Sequence, residues 1–198
     1  MNTSSAATYI DLIRPREISR TAYNVLLAIV GSLSIAACAQ VAIPLTFTPV
    51  PITGQTFMVL LIGIIFGSRL GAATAALYLV EGALGLPFFA GGNSGISIFG
   101  GATGGYLIGF VLAAYVVGLL AERKWDRKIF TAGAAMFFSS FIILSFGMLW
   151  LSMFVGIKQA FLLGFAPFIP GDIIKTVLAA STLPLGWKYL GKRSSEVH

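Results

Sequence analysis

Charge is what this sequence has least of. Asp, Glu, Lys and Arg make up 10% of its 198 residues, against about a quarter in a soluble globular domain. Mean hydropathy is +0.91. Too few polar side chains are present to cover a globule in water, whereas a bilayer accepts apolar surface on the outside as well as the inside. A soluble domain is thereby excluded. Histidine is also scarce, the single one being the terminal His198, so neither a paired-histidine metal site nor a His-Glu-x-x-His motif exists. No Gly-Lys-Ser/Thr follows any glycine-rich stretch, which removes a nucleotide-driven enzyme. A pore would show a ring of charge or a filter, and none is evident. No internal repeat stands out, which weakens an inverted-repeat transporter.

Cysteine occurs once, at Cys38, so no intramolecular disulfide can form. Ile35-Ala36-Ala37-Cys38 has the form of a lipoprotein cleavage box. The apolar run continues to Leu45, however, and the region ahead is long for a signal peptide. Cys38 therefore reads as a helix-packing residue.

What the chain does have is long apolar runs. A helix needs about 20 apolar residues to cross the hydrocarbon core. Runs of that kind cover Ala22 to Ile43, Phe57 to Ala90, Thr103 to Ala121, Ile129 to Val155 and Phe168 to Tyr189. The second would make a helix of about 50 Å, too long for a bilayer. The break at Gly67-Ser68-Arg69-Leu70-Gly71 divides it into a short helix and a normal one, giving six spans. The charges test this division. With six spans and a cytoplasmic N-terminus, Arg14, Arg16, Arg20, Arg69, Arg123, Lys124, Arg127, Lys128, Lys188, Lys192 and Arg193 lie inside, 11 of the 13 basic residues. Five spans would put the cluster from Glu122 to Lys128 outside, against the bias of short basic loops to the cytoplasm. The expected fold is an all-α integral membrane bundle of six transmembrane helices with both termini cytoplasmic. It forms one membrane domain: a polar segment 1–20, the bundle 21–190 and a tail 191–198. The same distribution argues against nucleic acid despite a net charge of +6.

Pro44 to Thr56, Gly85 to Ala102 and Gly156 to Gly171 then face the extracellular side. They are nearly uncharged and rich in Pro, Gly, Thr and Asn, as expected of loops that form ligand walls or lids. Glu81, Asp172 and Lys175 fall within or at the edges of spans, where ionisable residues are expensive and point to function by default. Asp172 and Lys175, three apart, share a helix face just after Pro170-Gly171. They read either as a self-satisfied structural ion pair or as a polar anchor for a small ligand. Glu81 reads as part of the same outer site or as a cap near Gly82 and Gly85. Thr53 and Gln55 enter the short second span, Asn93 sits in the glycine-rich loop, and Tyr106 begins the fourth span beside it. Gly100 to Gly109 is expected to pack that span closely, with Asn93 directed into a cavity. Trp125 and Trp187 suit the cytoplasmic interface. Ala28, Ser32 and Ala36 recur every four residues, a small-residue face for internal packing or for docking a partner membrane subunit.

Four stretches in order, Pro49-Val50-Pro51-Ile52-Thr53-Gly54-Gln55-Thr56, Gly85-Leu86-Pro87-Phe88-Phe89-Ala90-Gly91-Gly92, Thr103-Gly104-Gly105-Tyr106-Leu107-Ile108-Gly109-Phe110 and Pro170-Gly171-Asp172-Ile173-Ile174-Lys175, resemble the BioY family. These are the biotin-specific substrate-binding components of energy-coupling-factor transporters. The resemblance implies capture of biotin near the extracellular face by Thr53, Gln55, Glu81, Asn93, Tyr106, Asp172 and Lys175. It implies neither enzyme activity nor a cofactor. Uptake would be driven by a membrane coupling subunit and two cytoplasmic ATPase subunits, in a bacterial cell membrane. Within the same fold the alternative cargo is another vitamin, such as thiamine or riboflavin. Asp172 suits a ureido N–H of biotin. Lys175 lies too near Asp172 to hold the distant carboxylate, and so contacts the ureido carbonyl or orients Asp172.

Overall fold

The computed structural model describes residues 8–10 and 18–195, with the side chains of Leu185 and of residues 189–195 left out. Arg14, Arg16 and His198 lie outside the described residues, and Lys192 and Arg193 are described by backbone alone. Among the described residues, the frame is formed by the helices α1 Arg20–Gln40, α2 Gln55–Phe66, α3 Ser68–Ala83, α4 Gly104–Glu122, α5 Ile129–Val155, α6 Ile157–Gly164 and α7 Ile169–Ser195. Among the described residues, α1, α4, α5 and the run Ile157–Lys188 are long and apolar enough to cross a membrane, and α2 is a shorter apolar helix. The outer faces carry exposed Val25, Leu26, Ile29, Val30 and Leu33 on α1 and Ile173, Ile174, Val177 and Leu178 on α7. A chain apolar on both sides of its helices is a multi-pass membrane protein.

The break predicted in the second apolar run is present. Gly67, at φ +82°, closes α2 and opens α3 in a single residue, a left-handed turn suited to glycine. The first turn of α3 is capped from α4: Glu122 Oε1 accepts from the Ser68 backbone N–H at 2.8 Å and from its hydroxyl at 2.7 Å. A carboxylate at a helix N-terminus satisfies orphan donors and opposes the helix dipole. Glu122→Ala is expected to cost about 1 kcal/mol, the ordinary worth of a cap. A lower midpoint of thermal unfolding in detergent, partly restored by Glu122→Gln, is the check.

Around this turn the helices meet through glycine. A Cβ on Gly63 would sit 2.6 Å from the Ala114 carbonyl oxygen, and one on Gly71 would sit 2.7 Å from Gly63 Cα. A Cβ on Gly118 would sit 2.5 Å from the backbone of Gly67 and of Ser68. Such backbone approach is how membrane helices gain contact where no water is squeezed out. From this centre α4 packs on α2, α3 and α5, α5 packs on α7, and α1 packs on α3.

Two segments expected to be loops are structured. Residues 42–53 form an antiparallel hairpin, β1 Ala42–Leu45 and β2 Thr48–Thr53, with Ile43 opposite Ile52. It is the one departure from an all-helical fold among the described residues. Pro44, Pro49 and Pro51 are tolerated because a two-stranded ribbon consists only of edges. In the third loop lies α6, whose tie to the hairpin is a 2.7 Å bond from the Thr48 hydroxyl to the Leu163 carbonyl.

The small-residue face of α1 is used internally. Ser32 is fully buried and Ala36 nearly so, while neighbouring Gly31 faces Thr74 and Phe66. Internal packing thus engages Ser32 and Ala36, whereas Ala28 is half-buried beside exposed Val25 and Ile29, and docking of a partner along this face is a proposal.

At the end of the bundle holding Gly67, a second cluster forms. The Trp187 indole N–H donates to Asp126, Arg127 lies 4.3 Å over the Trp187 ring, and the Tyr9 ring packs 4.4 Å from it. Trp187 thus holds the α4–α5 turn to α7, beyond the interface-belt role expected for it. Burial pushes the Asp126 carboxyl upward, opposed by the Trp187 N–H and by Arg127.

Candidate functional site

At the opposite end, the hairpin, the segment 84–103 and α6 gather over the ends of α2, α4, α5 and α7. Beneath them is a cavity of about 240 Å³. Thr53, Gln55, Asn93, Tyr106, Asp172 and Lys175 all line it, so six of the seven residues expected at the site are brought together. Its walls are apolar, with Val50, Phe89, Leu107, Phe110, Leu144 and Phe168. Glu81 is not among the lining residues. It is half-buried on α3, with Oε2 buried and without a hydrogen-bond partner, and its carbonyl accepts from Leu86 N–H.

Asp172, in the first turn of α7, is 6% exposed and carries the strongest polar arrangement in the cavity. Ser140, from α5, donates its hydroxyl to Oδ2. Lys175 Nζ stands 3.5 Å from Oδ1, one helical turn further on. The same ammonium donates to the Thr53 carbonyl at 3.2 Å and to Thr56 Oγ1 at 2.7 Å. Two of the three donors of the ammonium are thus hydrogen-bonded, and its charge faces Asp172. Asp172, with about four lone-pair sites, keeps roughly two free for a ligand. Thr56 has its oxygen occupied by Lys175, so its hydrogen is free to be donated.

Gln55 is held with equal firmness. Its Oε1 accepts from the Thr53 hydroxyl at 3.1 Å, and its Nε2 donates to the Tyr78 hydroxyl. Tyr78 in turn donates to the Phe88 carbonyl at 3.1 Å. This relay fixes the amide orientation and leaves one Nε2 hydrogen unassigned. Tyr106 lies over Gly147 and Gly164, where any side chain would collide with it, and donates its hydroxyl to the Gly164 carbonyl. Its ring is a wall of the cavity and its hydroxyl a tie to α6. Asn93 is exposed at the mouth, its amide bonded to the Ala90 carbonyl at 2.7 Å.

The glycines of α4 act in packing, as expected. A Cβ on Gly105 would sit 2.5 Å from the Phe146 carbonyl oxygen and would meet Trp150, whose indole donates to the Gly101 carbonyl at 3.0 Å. Ser140 and Thr56 are the polar residues that were missed. Ser140 lies mid-helix in an apolar run with no local signal. Thr56 stands inside a motif already noted, and its role depends on Lys175, which is distant in sequence. Among the described residues no group of three His, Cys, Asp or Glu could hold a metal ion.

Comparison with known proteins narrows what such a cavity belongs to. The model of the BioY family matches residues 9–192. A probable biotin transporter BioY of Pyrococcus horikoshii is 36% identical over 167 residues, covering 84% of this chain and 93% of its own length. A biotin transporter BioY of Thermotoga maritima is 41% identical over 143 residues, 72% of this chain and 82% of its own. One of Rhizobium etli is 36% identical over 165 residues, 79% and 88%. Among solved structures, the S-component for biotin from an ECF-type ABC transporter superposes with a TM-score of 0.76 at 24% identity, covering 86% of this chain and 95% of that one. At that identity the last comparison establishes the fold.

Proposed function

Because this chain belongs to the BioY family, with relatives described as biotin transporters, we propose that it captures biotin in the cavity beneath the hairpin, for import. It is a transport protein and not an enzyme, and biotin is its cargo rather than a cofactor. The observation that carries the reading is the Asp172 carboxylate, buried and backed by Ser140 and Lys175 in a cavity walled mainly by apolar side chains. The ureido ring of biotin presents an N–H and a carbonyl side by side. Asp172 accepts from the N–H, a charge-assisted bond, and the free Thr56 hydrogen, polarised by Lys175, reaches the carbonyl. Gln55 offers one further donor. The fused rings and the chain of biotin then lie against Phe89, Tyr106, Phe110 and Phe168.

The remaining parts of the reading follow from charge and kinship. Of the basic residues with described side chains, Arg69, Arg123, Lys124, Arg127, Lys128 and Lys188 belong to the end away from the cavity, which the bias of basic residues assigns to the cytoplasm. The cavity then faces outward. Six crossings, made by α1 to α5 and α7 as one domain over 21–190, leave both termini inside. The setting is a bacterial cytoplasmic membrane, in keeping with the Thermotoga maritima and Rhizobium etli relatives. As an S-component, the chain works with a membrane coupling subunit and two cytoplasmic ATPases.

Titration of the purified protein with biotin, thiamine and riboflavin tests the cargo. Tight binding of biotin alone is expected; failure of biotin to bind would sink the proposal. Thiamine is disfavoured because its cation would need a carboxylate not already matched by Lys175. A second expectation concerns Ser140. Removing a hydrogen bond to a charged group costs about 1.5–3 kcal/mol, so Ser140→Ala should weaken biotin about tenfold or more. Ser140→Thr, which keeps the hydroxyl, should retain most of the affinity.

A further inference from the structure

The charges of the cavity are already spent on one another. Among the described residues, Asp172 and Lys175 are the only carboxylic acid and the only cation in its lining, and they are 3.5 Å apart. Lys175 donates to the Thr53 carbonyl and to Thr56 Oγ1, and its charge is paired with Asp172. An anionic group entering the cavity would thus find no counter-ion, and desolvating a carboxylate without one is costly.

At the N-terminus of α4 most of the leading amides are given to backbone carbonyls. The N-terminus of α4 borders the cavity through Thr103 and Tyr106. Its Gly104 N–H is given to the Gly101 carbonyl, and those of Tyr106 and Leu107 to the Thr103 carbonyl. Lys158 is exposed on α6 and borders a separate apolar groove with Met148 and Phe161. Glu81, near the end of α3 that leads into the wall segment, adds charge of the wrong sign. At the mouth, the polar side chain is the neutral, exposed amide of Asn93.

Resting on the proposal that the cavity takes biotin by its ureido ring, we infer that the carboxylate of the tail is not read as a charge. It stays hydrated at the mouth by Asn93, and the ligand class is biotin together with derivatives whose tail is neutral. Selectivity resides at the buried end, where Asp172, Thr56 and Gln55 meet the ring. The tail end admits any uncharged or charged polar group that water can serve.

Calorimetric titration of the full chain in detergent with biotin, biotin amide and biotin methyl ester tests this. The two neutral ligands are expected to bind within about fivefold of biotin, a difference of roughly 1 kcal/mol. If biotin binds and both neutral forms are weaker by tenfold or more, a counter-charge reads the carboxylate and the inference is overturned, while the assignment of biotin stands. If biotin itself does not bind, the assignment fails and takes the inference with it.

Discussion

Asp172→Asn is expected to lower the affinity for biotin by about thirtyfold or more while leaving the protein folded. The substitution keeps the shape of the side chain and removes its charge. Ser140 can still donate to the remaining carbonyl oxygen, but the amide nitrogen offers the ligand a donor where an acceptor is needed. Lys175, paired with Oδ1 at 3.5 Å, is left as an unmatched cation at the buried end of the cavity. Truncating one partner of a buried, hydrogen-bonded charge pair costs about 2–5 kcal/mol, which corresponds to between about thirtyfold and several thousandfold. Thr53 and Thr56 still hold the ammonium, so unfolding is not expected. Titration calorimetry supplies the affinity and size-exclusion chromatography the folding control. Binding within threefold of the unmodified protein would show that the pair serves only to join helices.

The second large effect concerns stability. Gly118→Val should abolish the folded protein. A Cβ at position 118 would lie 2.5 Å from the Gly67 carbonyl carbon and the Ser68 Cα. Both are backbone atoms, so no rotamer change relieves the collision, and α4 must move away from the α2–α3 turn. Overpacking a core costs about 1–3 kcal/mol where side chains can adjust, and more is expected where a backbone turn must shift. Separation also pulls Glu122 away from the N-terminus of α3 that it caps. Loss of monodisperse protein after extraction is the expected readout. Gly100→Ala, where a Cβ meets nothing within 4 Å, should behave as the unmodified chain does.

The parts of this structure legible in the sequence are those governed by local periodicity and by charge. The break at Gly67 could be read because a continuous helix would overrun the bilayer, and because Gly67 and Gly71 bracket the only place it could bend. Asp172 and Lys175 stood out because charges in apolar runs are rare and three residues apart share a face. The hairpin over 42–53 has the sequence of an irregular loop. Its three prolines argue against a strand wherever a second neighbour must be paired, and only the tertiary setting reveals a ribbon of two. By sequence Glu81 reads as part of the outer site or as a cap near Gly82 and Gly85, since nothing in a helix sequence states which side a single charge faces when its neighbours are all apolar. Ala28, Ser32 and Ala36 showed that some helix would pack closely there. That α2 and α3 of the same chain pack on α1 depends on long-range contact, to which a small-residue pattern is blind.

The bonds that organise the site span more than half of the chain. Lys175 reaches back 122 residues to Thr53 and 119 to Thr56, and Thr48 reaches forward 115 to Leu163. A chain is made from its N-terminus at a few residues per second, so the hairpin and α2 exist for some time before α7 does. Throughout that interval the Thr53 carbonyl and Thr56 hydroxyl await their ammonium, and no carboxylate is present to receive a ligand. The pocket is therefore an event late in biogenesis. A chain stopped anywhere before Ile169 can hold most of the bundle and yet none of the affinity.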